Sequence, residues 1–159
     1  MKSVLLSALL ALLLSSCGFQ LRGRLVLPAG LTALKVLTAD PLNPLKLEVE
    51  RTLRGSGVVL DASAGNVGEL QIQSEVLSRE ILSVNDRARV AEYLLRYQAR
   101  VRLVQGEREL LPPTDLEVSR EYSFDEVQAL GASQEEELIT EELRREMAQQ
   151  ILTKVSRAR

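Results

Sequence analysis

The chain has 159 residues, 20 basic and 22 acidic side chains, a formal net charge of -2, a single cysteine, no histidine and no tryptophan. Without histidine there is no Ser-His-Asp or Cys-His arrangement and no imidazole zinc site, and one cysteine makes neither a disulfide nor a thiolate metal site. The nearly balanced charge gives no general affinity for polyanions. We therefore expect a protein that is not an enzyme, with no cofactor, no metal and no nucleic-acid partner.

The N-terminal segment has the pattern of a bacterial lipoprotein signal. Lys2 gives a positive start, about 11 mainly apolar residues follow, and the run Leu14-Ser15-Ser16-Cys17 ends the segment. The apolar stretch is too short to cross a hydrocarbon core of about 30 Å, which needs about 20 residues. The alternative is a core helix with a buried cysteine, but the apolar run stops abruptly at Cys17. We predict a signal peptide over 1–16 and lipidation of Cys17.

The residue after the cysteine bears on the destination of the mature chain. Aspartate at that place is typical of lipoproteins retained in the inner membrane, and Gly18 stands there. The sequence thus favours a lipid-anchored protein on the periplasmic side of the cell outer membrane. We interpret residues 17–32 as a lead-in and 33–159 as one domain, because about 143 mature residues suit a single core.

The first predicted strand and helix follow the lead-in. A strand over Ala33 to Ala39 has apolar residues on both faces, which indicates an interior position. Asn43 and Pro44 can open a helix, since asparagine caps a first turn and proline is tolerated in it. Apolar residues then repeat every four positions at Leu45, Val49 and Leu53, and Gly55 and Gly57 end the helix.

Alternating patterns predict a long antiparallel hairpin in the middle of the chain. Leu70, Ile72, Ser74 and Val76 alternate with polar residues, which predicts a strand with these four on its buried face. A longer strand runs from Val90 to Val104, and the hairpin tip lies near 85–89. Its predicted inner residues are Tyr93, Leu95, Tyr97, Ala99, Val101 and Leu103.

The C-terminal third predicts one more strand and a long helix. Residues 106–114, with Pro112-Pro113, are expected to form a connection before a strand from Leu116 to Ser123. Ser133 opens a capping box for the helix, after a loop at 125–131. The apolar stripe of that helix is Ile139, Leu143, Met147, Ile151 and Val155, widened by Leu138 and Leu152.

The element order β-α-β-β-β-α predicts an α+β fold. Each helix has one apolar stripe and the four-stranded mixed sheet has one strongly apolar face, so both helices should pack on that face as a two-layer sandwich. The other face of the sheet stays polar and open.

Arginines mark the polar face and the hairpin tip as candidate binding surfaces. They are Arg96, Arg100 and Arg102 on the long strand and Arg87 and Arg89 at the tip. Guanidinium pairs with phosphate or carboxylate through two hydrogen bonds, so such a row could contact an anionic ligand or a carboxylate-bearing surface of a partner. The alternative is a solvated face balanced by acids on neighbouring strands, such as Glu75 and Glu117.

Three stretches resemble the LPS-assembly lipoprotein LptE family. They are the run Cys17-Gly18-Phe19-Gln20-Leu21-Arg22-Gly23, the Pro-Leu-x-Pro-Leu helix entry, and Ala91-Glu92-Tyr93 at the start of the long strand. The resemblance implies an outer-membrane lipoprotein that plugs the LptD β-barrel, helps that barrel assemble and takes part in lipopolysaccharide delivery. It implies the same sandwich fold, lipidation at Cys17, and lipopolysaccharide contacts near loop tips, for which Arg87 and Arg89 are the candidates.

Two other functions stay open at this point. A freestanding lipoprotein could bind an anionic glycolipid through the arginine-bearing strand face and the hairpin tip. A hydrolase of envelope polymers would need paired carboxylates with raised pKa values in a pocket, and the sequence contains no pattern that asks for them.

Overall fold

The computed structural model describes residues 25–60, 63, 65–124 and 129–158, without the side chains of 129–133. The predicted signal peptide and Cys17 lie outside these residues. Strands and helices follow one another in the predicted order β-α-β-β-β-α. They are β1 (Ala33–Leu37), α1 (Pro44–Gly55), β2 (Val67–Val84), β3 (Val90–Gln105), β4 (Arg108–Ser123) and α2 (Ala129–Arg157).

The four strands form one mixed sheet in sequence order. β1 pairs with β2 in parallel, and β2–β3 and β3–β4 are antiparallel. Both helices contribute their apolar stripes to one hydrophobic core with the inner face of the sheet. The predicted α+β sandwich is therefore confirmed, and no helix among the described residues covers the opposite face of the sheet.

The apolar repeats of the two helices form one side of the core. Leu45, Val49 and Leu53 of α1 are fully buried, as predicted. The predicted stripe of α2 is buried from Ile139 to Val155, and Leu152 joins it. Leu138 was expected to widen this stripe, but that expectation is wrong because its side chain is 62% exposed.

The entry of α1 follows the predicted chemistry. Asn43 is the N-cap, Pro44 is the first helical residue, and Asn43 Oδ1 accepts a hydrogen bond of 2.9 Å from the Lys46 N–H. This bond satisfies one of the backbone donors that a helix start leaves open. β1 ends at Leu37, two residues before the predicted end.

A β-bulge changes the alternation of β2. Ile72 pairs with Val101 but Ser74 pairs with Arg100, so Gln73 is an extra residue in the ladder. Leu70 and Ile72 are buried as predicted, whereas the prediction is wrong for Ser74 and Val76. Beyond the bulge these two residues lie on the open face, and the intervening odd-numbered positions turn toward the helices.

The connection predicted for 106–114 is in fact mostly strand. Only Gly106 and Glu107 separate β3 from β4, which begins at Arg108 and contains Pro112-Pro113. β4 is an edge strand, where a missing proline N–H costs no ladder bond on the outer side. The register also shifts between the pairs formed by Val101 and Leu103, so the prolines sit at an irregularity.

The last helix begins earlier than its capping box predicted. α2 starts at Ala129, which puts Ser133 inside the helix instead of at its start. The predicted hairpin tip is confirmed, since the Asn85 N–H donates to the Arg89 carbonyl at 2.8 Å. Ala88 in this turn has a φ of 58°, in the left-handed region.

Candidate functional site

The arginines of the open sheet face are paired with acids of the same sheet. Arg96 on β3 donates from Nη1 to Glu117 on β4 at 2.6 Å and from Nε to Glu80 on β2 at 3.1 Å. Gln98 adds a hydrogen bond of 2.8 Å to the second oxygen of Glu117. The central arginine thus links all three long strands across their polar face.

The same pairing continues toward the β3–β4 turn. Arg100 binds Asp115 with two parallel hydrogen bonds of 2.7 and 2.8 Å, the geometry preferred for guanidinium and carboxylate. Arg102 donates from Nε to Glu109 at 2.6 Å. All three arginines therefore have carboxylate partners within this chain, although their role as partner contacts stays a prediction.

The ionisation of these groups reflects the pairing. The hydrogen bond from Arg100 lowers the pKa of Asp115, and hydrogen bonds from Gln98 and then Arg96 lower the pKa of Glu117. A lowered carboxyl pKa means that the charged form is stabilised. The open face is accordingly a layer of exposed, mutually neutralised charges. Glu75 takes no part in it, contrary to the expectation that it would balance the arginines.

Glu75 instead joins the sheet to the first helix. Because it follows the bulge, it faces the helices, where the buried Tyr97 hydroxyl donates to its Oε1. Asn43 Nδ2 donates to Glu75 Oε2, so the N-cap of α1 is also tied to β2. Burial, and then Glu75, raise the pKa of Tyr97. We call Asn43, Glu75 and Tyr97 the latch.

An aromatic cluster fixes the distal half of the hairpin to α2. Tyr93 stacks on Tyr122 with ring centroids 5.7 Å apart and meets the edge of Phe124 at 5.2 Å. The Arg79 guanidinium lies 4.7 Å from the centroid of the Tyr93 ring and 2.8 Å from the Glu136 carboxylate on α2. The Glu136 carboxylate also accepts a hydrogen bond of 2.7 Å from the Tyr122 hydroxyl. Burial, followed by this hydrogen bond, raises the pKa of Tyr122 to about 12.

The hairpin tip carries the two arginines predicted as ligand contacts. Asn85 Oδ1 accepts from the Arg87 and Arg89 N–H groups at 3.0 and 3.1 Å, which shapes the turn. Both arginines are exposed. The strand leading to the tip exposes Ile81 by 61% and Val84 by 59%. The tip therefore combines cationic and apolar groups.

Comparison with known proteins now identifies the family. The family model for LptE, described as lipopolysaccharide-assembly, matches residues 31–155, which run from just before β1 almost to the end of α2. The chain belongs to the LptE family. The LPS-assembly lipoprotein LptE of Pectobacterium atrosepticum is 32% identical over 155 residues, covering 95% of this chain and 83% of that protein.

Solved structures agree with this membership. The rare lipoprotein B of Shewanella oneidensis has a TM-score of 0.68 at 30% identity and covers 76% of this chain and 91% of its own. Lipoprotein B of Nitrosomonas europaea has a TM-score of 0.69 at 27% identity and covers 87% and 90%. The resemblance to the LptE family and the prediction of a non-enzymatic protein are confirmed, and the chain takes part in lipopolysaccharide assembly.

The family match and the structure leave the predicted site residues untested. Cys17 lies before the matched region and outside the described residues. Arg87, Arg89 and the arginines of the open face lie within both, and their role as ligand or partner contacts stays a prediction. No helix in the described parts of the chain is long and apolar enough to span a bilayer. Within the same residues, no group of three or more His, Cys, Asp and Glu side chains could hold a metal ion.

Sequence reasoning missed the latch and the link between Arg79 and Glu136. Arg79 and Glu136 are 57 positions apart and belong to different elements, so no local pattern connects them. The sequence places Glu75 directly before the apolar pair Val76-Leu77, which is the one local hint of the latch. Whether the Glu75 side chain faces the helices or the open face depends on the bulge.

Proposed function

We propose that this LptE-family chain is an outer-membrane lipoprotein, anchored by lipid on Cys17, whose folded domain plugs the lumen of an LptD-type β-barrel. It would help that barrel assemble and take part in delivering lipopolysaccharide to the cell surface. The observation that carries the proposal is family membership across the whole sandwich, joined with the character of its uncovered face.

The open face suits the inside of a large barrel. The lumen of wide outer-membrane barrels is polar, so a domain placed there must present a polar surface to it. Arg96, Arg100 and Arg102 with their acidic partners provide such a surface without a strong field of one sign. Because those arginines are already paired, the same face is less suited to capturing a free phosphate, which disfavours a freestanding glycolipid carrier.

The hairpin tip is the candidate for a lipopolysaccharide contact because it combines cationic and apolar groups. Arg87 and Arg89 offer guanidinium groups to phosphates, and Ile81 and Val84 offer apolar surface to acyl chains. Both kinds of group are needed for a ligand that is anionic at one end and apolar at the other.

Lipidation at Cys17 would make the anchor effectively permanent. Three acyl chains contain about 15 methylenes each. At roughly 0.8 kcal/mol per methylene, the free energy of inserting them into the bilayer exceeds about 30 kcal/mol, taken as a nominal upper bound. In cells that lack the barrel partner, a Cys17→Ser variant should therefore no longer fractionate with outer membranes, whereas the natural chain should.

Co-purification tests the plug directly. The chain is extracted from outer membranes in mild detergent through a C-terminal tag, and the expected product is an equimolar complex with a large β-barrel protein. Recovery of the chain alone under these conditions would contradict the proposal.

Charge reversal at the tip tests the ligand contact. Arg87→Glu with Arg89→Glu should weaken lipopolysaccharide binding and leave the barrel complex intact. The matched control is Arg108→Glu with Arg157→Glu, which makes the same change of charge at two exposed arginines away from the tip. Equal loss of binding in both double variants would mean that only net charge matters.

A further inference from the structure

Among the described residues, one edge of the sheet is unpaired over most of a long strand. β1 covers β2 only from Val67 to Gln71, whereas β2 continues to Val84 and is paired with β3 on its other side to that end. No backbone hydrogen bond among the described residues joins the free edge of 74–84 to a turn or loop. Alternate N–H and C=O groups of this segment therefore point outward, available to another extended backbone.

The free edge is apolar on both faces of the sheet. Val76 is 52% exposed on the open face, beside Gln98 of β3. Leu77 and Ile81 lie on the helix face, opposite Tyr97 and Tyr93, and are 44% and 61% exposed. Exposed apolar side chains that follow the alternation of a strand are the pattern that strand addition requires.

The opposite edge of the same sheet is built differently. β4 carries Pro112-Pro113, which remove two backbone donors, a register shift, and exposed charged residues such as Asp115 and Arg120. Prolines, irregular register and charge are the devices by which proteins prevent unwanted pairing at an edge. The β2 edge between Ser74 and Leu82 has no proline and no lysine, so it keeps all its backbone donors, although Arg79 and Glu80 are exposed and the register shifts after Ile81. Among the described residues, the proline pair is therefore what distinguishes the two edges.

We propose that residues 74–82 of β2 receive an extended segment of a partner protein as an additional strand of the sheet. The segment would place apolar side chains opposite Leu77 and Ile81 and a residue other than lysine or arginine opposite Arg79. For the identity of the partner, this inference rests on the proposed function. The mode of binding rests on the edge itself.

A second copy of this chain fits the edge less well. The antiparallel register that sets Leu77 against Ile81 of the other copy also sets Arg79 against Arg79, and like charges directly opposite each other are destabilising. Shifting by two residues sets Arg79 against Leu77 or Ile81 and breaks the apolar pairs. Shifting by four sets Leu77 against Leu77 and Arg79 against Glu75, but it places Ile81 opposite Gln73. A foreign strand with apolar residues at both positions and no cation between them satisfies Leu77, Arg79 and Ile81 together.

Crosslinking in the assembled membrane protein tests the edge. A photoreactive phenylalanine analogue is placed at Val76 or Ile81 in the full-length chain, and the same analogue at Ser119 on β4 is the control for the blocked edge. We expect crosslinks from both β2 positions to one short segment of a partner protein. The two crosslinked residues of that segment should be separated by the same length of extended chain as Val76 and Ile81, and Ser119 should give no such crosslinks. Crosslinks that join two copies of this chain, or none from either β2 position, would overturn the proposal.

Paired substitutions give a second measurement that does not depend on crosslinking chemistry. Leu77→Lys with Ile81→Lys should abolish the slow amide exchange that partner binding confers on 74–82 and should lower partner recovery at least about tenfold, a penalty of about 1.4 kcal/mol. The control is Val26→Lys with Leu47→Lys, which replaces two apolar residues, 75% and 48% exposed, that lie outside the edge segment. Equal recovery of the partner with both double variants would refute the proposal.

The two proposals fail in distinguishable ways. If no barrel protein accompanies the natural chain, the proposed function fails, and crosslinks from Val76 and Ile81 to a segment of some other protein still decide whether the edge adds a strand. If the barrel accompanies the natural chain and both double lysine variants alike, the function stands and the edge proposal fails.

Discussion

Asn43 should contribute to stability twice, and substitutions can separate the two contributions. Its Oδ1 caps α1 through the Lys46 N–H, and its Nδ2 donates to the Glu75 carboxylate. A lost N-cap costs about 1 kcal/mol. A lost hydrogen bond to a charged group costs about 1.5 kcal/mol, taken at the low end because Asn43 is only half-buried.

These magnitudes predict an order among three variants. Asn43→Ser keeps a capping oxygen and loses the bond to Glu75, so it should lower the free energy of unfolding by about 1.5 kcal/mol. Asn43→Ala loses both and should cost about 2.5 kcal/mol. Asn43→Asp also keeps the cap, but it sets a second carboxylate against Glu75, so it should be less stable than Asn43→Ser at neutral pH and recover partly with added salt.

Urea denaturation followed by circular dichroism measures these differences, in a Cys17→Ser background that prevents lipidation. With a slope of about 1.5 kcal/mol/M, the midpoint should fall by about 1 M for serine and about 1.7 M for alanine. Equal midpoints for serine and alanine would show that the cap contributes nothing. A serine variant as stable as the natural chain would show that the bond to Glu75 contributes nothing, and either result would refute the reasoning.

Three further predictions concern the core, alkaline pH and the open face. Leu143→Ala should cost about 2–5 kcal/mol because its side chain is fully buried, whereas Leu138→Ala should change stability by no more than about 0.5 kcal/mol, as measured by urea denaturation. The folded state raises the pKa of Tyr122 from 10.0 to about 12. The contribution of the protonated hydroxyl to stability is therefore complete below pH 10 and is lost as the pH rises toward 12. The difference in tyrosinate absorbance between the natural chain and Tyr122→Phe should report that pKa. Arg100 lowers the pKa of Asp115 in the folded state. The pair therefore stabilises the fold above the unfolded-state pKa of Asp115, and this stabilisation is lost as the pH falls through the folded-state pKa. Arg100→Gln should return the pKa of Asp115 toward its ordinary range in an NMR titration.

The elements that the sequence predicted well are those with uninterrupted periodicity. The four-residue repeats of Leu45, Val49 and Leu53 and of the α2 stripe placed both helices and their buried faces. The alternation from Tyr93 to Leu103 placed the inner face of β3. In each case one face must be apolar over several turns or residues, so the pattern remains visible in the sequence.

The errors arose where tertiary position decides what a local signal means. Pro112-Pro113 predicted a loop because proline cannot donate a ladder bond, yet β4 lies at an edge where one side of the strand needs no donors. Ser133 predicted a helix start, but the helix continues back to Ala129. The arginines of the open face predicted either an anion site or a balanced surface. Glu117 was predicted correctly as a balancing acid, whereas Glu80, Glu109 and Asp115 became identifiable only from the sheet register.

The extra residue at Gln73 connects the latch to the free edge. Without it the alternation would continue, so Glu75 would face solvent, and Val76 would face the core. Tyr97 would then lose the acceptor of its hydroxyl proton, and a buried donor without an acceptor is costly. With the bulge, Glu75 reaches Tyr97 and Asn43, and Leu77 and Ile81 come to the helix face beyond the cover of β1. One inserted residue therefore both fixes α1 to the sheet and determines which apolar side chains the open edge presents.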